Sequence, residues 1–345
     1  KEWKLSKRAT IQDVADYLKV SKSAVSHALS GRRRVSPELS RRLNAAIAEL
    51  GYKPNFAAKV LTTRSTGLIG VVVNELENPN TVTLLNELSR ELGKSGYSIT
   101  LCLCESREVQ EGCKLISRIS NGMVDAIINM LPQLTNEEVL AAAADTPVLT
   151  YRRHKHSPII VDYGRGVMQA LDYLTGLGHR RIGLISVVKL CCGDADPRET
   201  AYREYMIRKG LLDPALIFPG AGDNASGYAG TASLFTLPEP PTAIFAGNDL
   251  TASGVFQWAH DHCRRLPEEL SVIGFDNSPL AATLYPRLTS VDIFAPRIAV
   301  HTARVLLSMI GREQQEVPPA VIHPELVVRD SCSTPVMKNA VQTEP

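Results

Sequence analysis

From residue 67 onward, short runs of branched apolar residues alternate with longer stretches of helical spacing, and that alternation leaves few folds open to the chain. The runs are LIGVVV at 68, SITLCL at 98, DAIINM at 125, PVLTY at 147, PIIVDY at 158, RIGLISV at 181, TAIFAG at 242 and SVIGFD at 271. Each has the length of a strand and little polar alternation, the pattern of a strand covered on both faces. Between them lie Thr81 to Lys94, Gly164 to Leu177, Arg198 to Lys209 and Asp249 to His262, each long enough for a helix. Buried strands alternating with helices imply parallel sheets with helices on either side. This stretch of about 280 residues is generous for one sheet, so two lobes are expected.

Residues 10 to 50 have a different texture and read as three short helices. Thr10, with Asp13 three residues on, signals a cap before IQDVADYL, and Ser21 can cap the next segment. The third helix starts at Ser36 with Pro37 in its first turn and stops at Gly51. Ile11, Val14, Leu18, Val25, Leu29, Leu43, Ile47 and Leu50 supply one small core.

Charge separates the same two regions. Residues 1 to 64 carry 14 Lys and Arg against 5 Asp and Glu, whereas the remaining 281 hold 24 basic and 31 acidic side chains. A basic module for a polyanion joined to an acidic body fits this split, although short basic termini are often idle. On a helical wheel, Lys22, Ser23, Ser26 and His27 share one arc of the second helix, and Ala24, Val25, Ala28 and Leu29 fill the other. The polar arc has donors and no acid, as a surface approaching phosphates requires. Two helices joined by the tight YLKVSKS turn form a helix-turn-helix.

The stretch ATIQDVADYLKVSKSAVSHALSGRRRVSPELSRRLNAAIAELGYKPNFAAKVL resembles the DNA-binding region of the LacI/GalR family of bacterial transcriptional regulators. GHRRIGLI, PTAIFAGNDLTASG, ELSVIGFDNSPLA, PRLTSV and PELVVRDS resemble the same family's core, so the likeness spans residues 9 to 331. It implies a small all-α helix-turn-helix headpiece, joined by a hinge to a two-lobed, periplasmic-binding-protein-like α/β core of parallel sheets. The expected divisions are a headpiece at 1–52, a hinge at 53–66, a core at 67–331 and a disordered tail at 332–345. Within the core, lobe 1 takes 67–162 with 293–318, and lobe 2 takes 163–292 with 319–331.

By that resemblance, Lys22, Ser23 and His27 fall where family members read base edges, and many members carry Arg at the His27 position. Thr10, Ser21 and Ser26 fall among the backbone contacts, and Arg32, Arg33 and Arg34 lie in a loop suited to phosphates. The hinge Asn55, Ala58 and Leu61 would meet the minor groove, with Leu61 as the wedge. In the family this short segment folds only when two copies meet on DNA; alone, so short a helix is marginal.

In open parallel sheets, ligands bind beyond the carboxyl ends of the strands. Arg152, Asn248 and Asp276 follow such ends, and Arg198 opens a helix that could reach the same cleft. The resemblance assigns Arg198, Asn248 and Asp276 to the effector; Asp249 could equally serve the following helix. Where relatives have aromatics, this chain has Asn80 and Thr81 in NPNTVTLL and Asn224 in GAGDNASG. A site with fewer stacking faces leans on hydrogen bonds and charge. An anionic sugar derivative is one candidate ligand, but arginines paired with lobe acids would never touch it.

No phosphate-binding GxxxxGK[ST] loop, HExxH or GxSxG elbow is present, so the expectation is a binding protein, neither an enzyme nor a holder of cofactor or metal. His154 and His156 lack neighbouring ligands, and Cys191 and Cys192 sit together in a loop, inert or redox-active. Seven cysteines without a spaced framework fit a reducing compartment. With neither an export signal nor a membrane-length apolar run, the expected place is the bacterial cytoplasm, nucleoid-associated when bound. The expected function is repression of a carbohydrate-utilisation operon: a homodimer on a pseudo-palindromic double-stranded operator, controlled by a small sugar-type effector. The tail's lack of apolar heptads argues against a tetramer. A nucleobase or sugar-phosphate effector, or a solute-binding protein without DNA activity, are the other readings.

Overall fold

The computed structural model describes residues 9–30, 36–52, 60, 65–106, 108–151, 158–187, 196–311 and 317–336. They fall into two compact units, residues 1–68 with 122–125, and residues 69–121 with 126–345. Among the described residues, no helix is long and apolar enough to cross a membrane.

In the first unit, α1 (Ile11–Leu18), α2 (Lys22–Ser30) and α3 (Pro37–Leu50) have their ends set by local chemistry. At α1 the capping box closes in both directions: Asp13 N–H donates to Thr10 Oγ1 at 3.3 Å, and Thr10 N–H to the Asp13 carboxylate at 2.7 Å. Ser36 Oγ accepts the Leu39 amide at 3.2 Å, Pro37 occupies the first turn, and Gly51 ends α3 at φ +58°. Val14, Ala15, Leu18, Val25, Leu43, Ala46 and Tyr52 form the core. Ile11, Ile47 and Leu50, expected inside, are only partly buried, and the side chain of Leu29 lies outside the described set. Tyr52 takes the inner place that pattern reasoning overlooked.

In the second unit, β1 (Leu68–Val73), β2 (Ser98–Leu103), β3 (Ala126–Asn129) and β4 (Val148–Thr150) make a four-stranded sheet in the order β2-β1-β3-β4. A six-stranded sheet follows, from β6 (Ile182–Ile185), β7 (Ile217–Phe218), β8 (Ala243–Ala246), β9 (Ser271–Asp276), β10 (Thr289–Asp292) and β12 (Glu325–Val327). Its order is β12-β10-β9-β8-β6-β7. Strands β5 (Ile159–Val161) and β11 (Ala320–Ile322) pair separately and in parallel. The eight apolar runs all became strands. The central ones, β3, β8 and β9, are buried along their whole length, as their unbroken apolar pattern requires.

Two features depart from the reading. Strand β12 runs antiparallel to β10, so the second sheet is not wholly parallel. Helix α12 and strand β11 intervene between β10 and β12, and β12 follows β11 after a two-residue link. In addition, β10, β11 and β12 are short and mixed in polarity, which concealed them in the sequence.

Helices cover the strands: α4 (Pro79–Lys94), α5 (Val109–Ser120) and α6 (Asn136–Ala143) on the first sheet's part of the chain, and α7 (Tyr163–Gly176), α8 (Pro197–Arg208), α9 (Asn224–Leu234), α10 (Asp249–Asp261) and α11 (Pro279–Thr283) on the second's. Helix α12 (Ala295–Met309) returns to pack against α4.

Candidate functional site

Each unit presents a candidate surface. In the first, Val25 is buried and anchors α2, while Lys22, Ser23 and His27 are exposed and Ser26 is half-buried. The polar arc therefore faces outward, as the wheel requires. Ser21 Oγ accepts the Ala24 amide at 3.1 Å and lies 2.9 Å from Ser23 Oγ, so the two hydroxyls are held in fixed relation at the helix start. The Thr10 hydroxyl is engaged with Asp13 at 2.8 Å, leaving it a spare lone pair rather than a free donor. Arg32, Arg33 and Arg34, and the hinge residues Asn55, Ala58 and Leu61, lie outside the described residues.

In the second unit, the strand order reverses between β6 and β8, and again between β1 and β3. Crevices form at such switch points, beyond the carboxyl ends of the strands. Past β6, β8 and β9 stand Ser186, Asn248 and Asp276, all nearly buried.

Arg198, at the start of α8, lies beside the end of β8. Its Nε and Nη2 donate to the two oxygens of Asp196 at 3.1 and 3.0 Å, and Nη1 donates to the Gly247 carbonyl at 2.7 Å. Burial alone would ease the proton off the guanidinium, but Asp196, Tyr163 and Asp276 together hold it on. The guanidinium lies 5.5 Å from the Tyr163 ring centre and 5.6 Å from that of Phe275, two rings themselves stacked 5.8 Å apart. Arg198 is thus paired with an acid of its own lobe, and these bonds leave one hydrogen on each Nη for a further partner. Asp196, Tyr163 and Phe275 were not read from the sequence; an acid two residues before Arg198 was the available signal.

The two asparagines also have local duties. Asn248 Oδ1 caps α10 through the Thr251 amide at 2.7 Å, and its Nδ2 donates to the Gly222 carbonyl at 2.9 Å. Asn224 Nδ2 donates to Ser253 Oγ at 2.9 Å. Each keeps one amide hydrogen and lone-pair capacity for another partner.

The turn after β9 is unusual in its backbone. Asp276 has φ +100° and Asn277 has φ +49°, conformations that side chains other than glycine seldom adopt. Three bonds hold Asn277: its N–H donates to Ser290 Oγ at 3.0 Å, its Nδ2 to Asp292 at 3.0 Å, and its Oδ1 accepts from Arg329 at 2.6 Å. Asp249 lies beneath, accepting the Ser278 amide at 2.6 Å and the Ser290 hydroxyl at 2.5 Å. Burial pushes its carboxyl up to about 6 despite those donors. Asp249 therefore supports the turn, while Asn248 caps the helix. Strain of this kind persists only where the surroundings over-determine it, and it gathers at ligand clamps.

On the other lobe, Asn80 and Thr81 lie half-buried in the first turn of α4, the Asn80 amide donating to Asn78 Oδ1 at 2.9 Å. Helix α11, which follows the strained turn directly, packs against α4 and so brings these elements near one another. Asn129, at the end of β3, is fully buried with its Nδ2 unpartnered, and Ser186 Oγ is likewise buried without a partner. Both were hidden at the ends of apolar runs, where a polar residue reads as a strand terminus. Arg152 lies outside the described residues. Among the described residues, no group of three or more His, Cys, Asp or Glu could hold a metal ion.

The model for "Bacterial regulatory proteins, lacI family" matches residues 10–55, and that for a periplasmic binding protein-like domain matches residues 171–332. The HTH-type transcriptional repressor PurR of Vibrio atlanticus is 30% identical over 336 residues, covering 94% of this chain and 99% of its own. The repressor of the same name from Pasteurella multocida is 29% identical over 330 residues, covering 94% and 98%. Among solved structures, the Lac repressor dimer bound to operator and the anti-inducer ONPF is similar with a TM-score of 0.82 at 24% identity, over 95% of this chain and 100% of that one. The complex of the transcriptional regulator CelR with cellobiose is similar with a TM-score of 0.66 at 27% identity, over 94% and 100%.

Proposed function

Because the chain belongs to the lacI family of bacterial regulatory proteins, we propose that it is a transcriptional repressor that binds a pseudo-palindromic operator as a homodimer and answers to a small effector in the crevice of its core. The acid-free, outward-facing arc of Lys22, Ser23 and His27 on a helix anchored by Val25 carries the DNA half of this reading. A helix presented so enters the major groove with its first residues on base edges, and dimer symmetry pairs two half-sites.

Lys22 and His27 donate to acceptors on base edges, and Ser21 and Ser26 to phosphates. The arginines at 32 to 34 add affinity that falls with salt, and Leu61 wedges the minor groove. Within the core, Arg198, Asn248 and Asp276 offer donors and acceptors past neighbouring strand ends, with Asn80, Thr81 and Asn224 at their flanks and Arg152 after β4. The effector acts by its different affinity for the DNA-competent and incompetent states.

A small sugar is the proposed effector class, since hydroxyls match the mixture of amide, carboxylate and guanidinium groups at the strand ends. A planar nucleobase is the second reading, favoured by the partly exposed Tyr163 ring beside Arg198. Thermal shift with cellobiose, ribose and hypoxanthine separates them, because a ligand that binds only the native state raises its melting temperature. For the DNA half, selection from a random duplex library by the 345-residue chain should enrich a palindrome. Recovery of unrelated sequences only, with binding that vanishes uniformly as salt rises, would refute sequence-specific regulation.

A further inference from the structure

The carboxylate of Asp125 takes no part in either surface described above. It stands one residue before β3, its own N–H donating to the Leu68 carbonyl at 2.8 Å. Its side chain gathers three consecutive residues. Oδ2 accepts the Ser65 hydroxyl at 2.5 Å and the Gly67 amide at 2.9 Å, and Oδ1 accepts the Thr66 amide at 2.7 Å and the Thr66 hydroxyl at 2.8 Å. Four donors fill the acceptor capacity of an ionised carboxylate. Gly67 turns its amide inward at φ +68°, a conformation glycine adopts without strain. The Thr66 hydroxyl also accepts the Leu68 amide at 3.1 Å, which extends the arrangement into β1. Burial pushes the Asp125 carboxyl up, but these bonds outweigh it and hold it below the ordinary aspartate range.

Residues 65 to 67 are the last before the core strands begin, on the chain path leading from the DNA-binding helices. We propose that Asp125 is a positioning residue: by fixing the conformation of 65–67 it pre-organises the joint from which the DNA-binding region departs, and so sustains operator-specific binding. This rests on the DNA-binding reading given above. The physical reason is geometric. Specific binding needs both heads of a dimer engaged at once, so it depends on the effective concentration of the second head, which a loosened joint lowers. Non-specific binding depends on phosphate contacts and counterion release, and it is insensitive to the joint.

Asp125→Asn keeps the size of the side chain and turns one acceptor oxygen into a donor that faces two donors. The variant should bind the duplex selected by the wild type about tenfold more weakly, the loss expected from disrupting hydrogen bonds to a charged group. Its affinity for a scrambled duplex of equal length should stay within about twofold, since that term depends on phosphates alone. In hydrogen exchange, the Thr66 and Gly67 amides should lose protection while the melting temperature of the core is unchanged. Should Asp125→Asn fold poorly, Ser65→Ala/Thr66→Val removes the two hydroxyl donors to Asp125, together with the Thr66 oxygen that accepts the Leu68 amide, and should give a smaller loss in the same direction. Equal weakening on both duplexes, or no weakening on either, overturns the proposal, as does unchanged protection at 66 and 67. Failure of the wild type to prefer any sequence overturns the DNA-binding reading instead, and the exchange measurement then still decides whether the clamp exists.

Discussion

A carboxylate as deeply buried as Asp249 favours its protonated form, and the direction of that preference sets a pH dependence. Its carboxyl titrates at about 6 in the folded chain against an ordinary 3.8. The stability it contributes is therefore full below about 3.8 and lost as pH rises through about 6. Asp249→Asn cannot titrate, so melting curves of wild type and variant taken from pH 4 to 7 should shift relative to one another, the wild type losing ground as pH rises. The whole effect is on the order of 3 kcal/mol, at about 1.4 kcal/mol per pH unit between the two values; parallel curves would refute it. Gly274 belongs to the same design, because a Cβ there would stand 2.3 Å from Asp249 Oδ1. His27 is exposed on α2. Selection with His27→Ala should relax the preference at one base pair per half-site, by about 1 to 3 kcal/mol, and leave the others unchanged. An unaltered selected sequence would remove His27 from base reading.

Among the elements, the pair α9 and α10 is held closest. A Cβ on Gly227 would lie 2.0 Å from the Thr251 carbonyl oxygen, and one on Gly254 would lie 2.0 Å from that of Asn224. Both obstacles are backbone, so neither can rotate away. Gly254→Ala must separate the helices and should lower stability by about 1 to 3 kcal/mol, the usual cost of overpacking. Because Asn224 and Asn248 sit at the starts of these two helices, the same variant should also weaken any thermal-shift response to a crevice ligand. A melting temperature within one degree of the wild type would show that the helices tolerate the methyl group. The crossing explains Gly227 and Gly254, whereas Gly230 of NASGYAG faces Phe218 and Ile185: the sequence displays these glycines, but only the packed structure shows what they meet.

At the scale of the whole molecule, the proposed homodimer should sediment as two chains; a monomer or a stable tetramer would contradict it. The strand runs, the three headpiece helices and their caps at Thr10, Ser21, Ser36 and Gly51 were legible in the sequence, because caps, turns and apolar periods are local physics that neighbouring residues settle alone. The outward arc of α2 was legible for the same reason, since one helical turn decides which side faces the core. Asn248 and Asp276 could be named from their places after strands and Arg198 from its place at a helix start, but not their partners. The pairing of Arg198 with Asp196 and Gly247, the bonds of Asp249 to Ser278 and Ser290, and the anchoring of Ser65, Thr66 and Gly67 by Asp125 join residues up to 60 apart in the chain. The antiparallel edge at β12 likewise depended on a distant sheet. What the sequence determined by itself was the eight apolar strands, the headpiece helices and the faces these present. Only the tertiary structure decided which charges are buried together, because burial and charge pairing are properties of the assembled surroundings and not of any short stretch of chain.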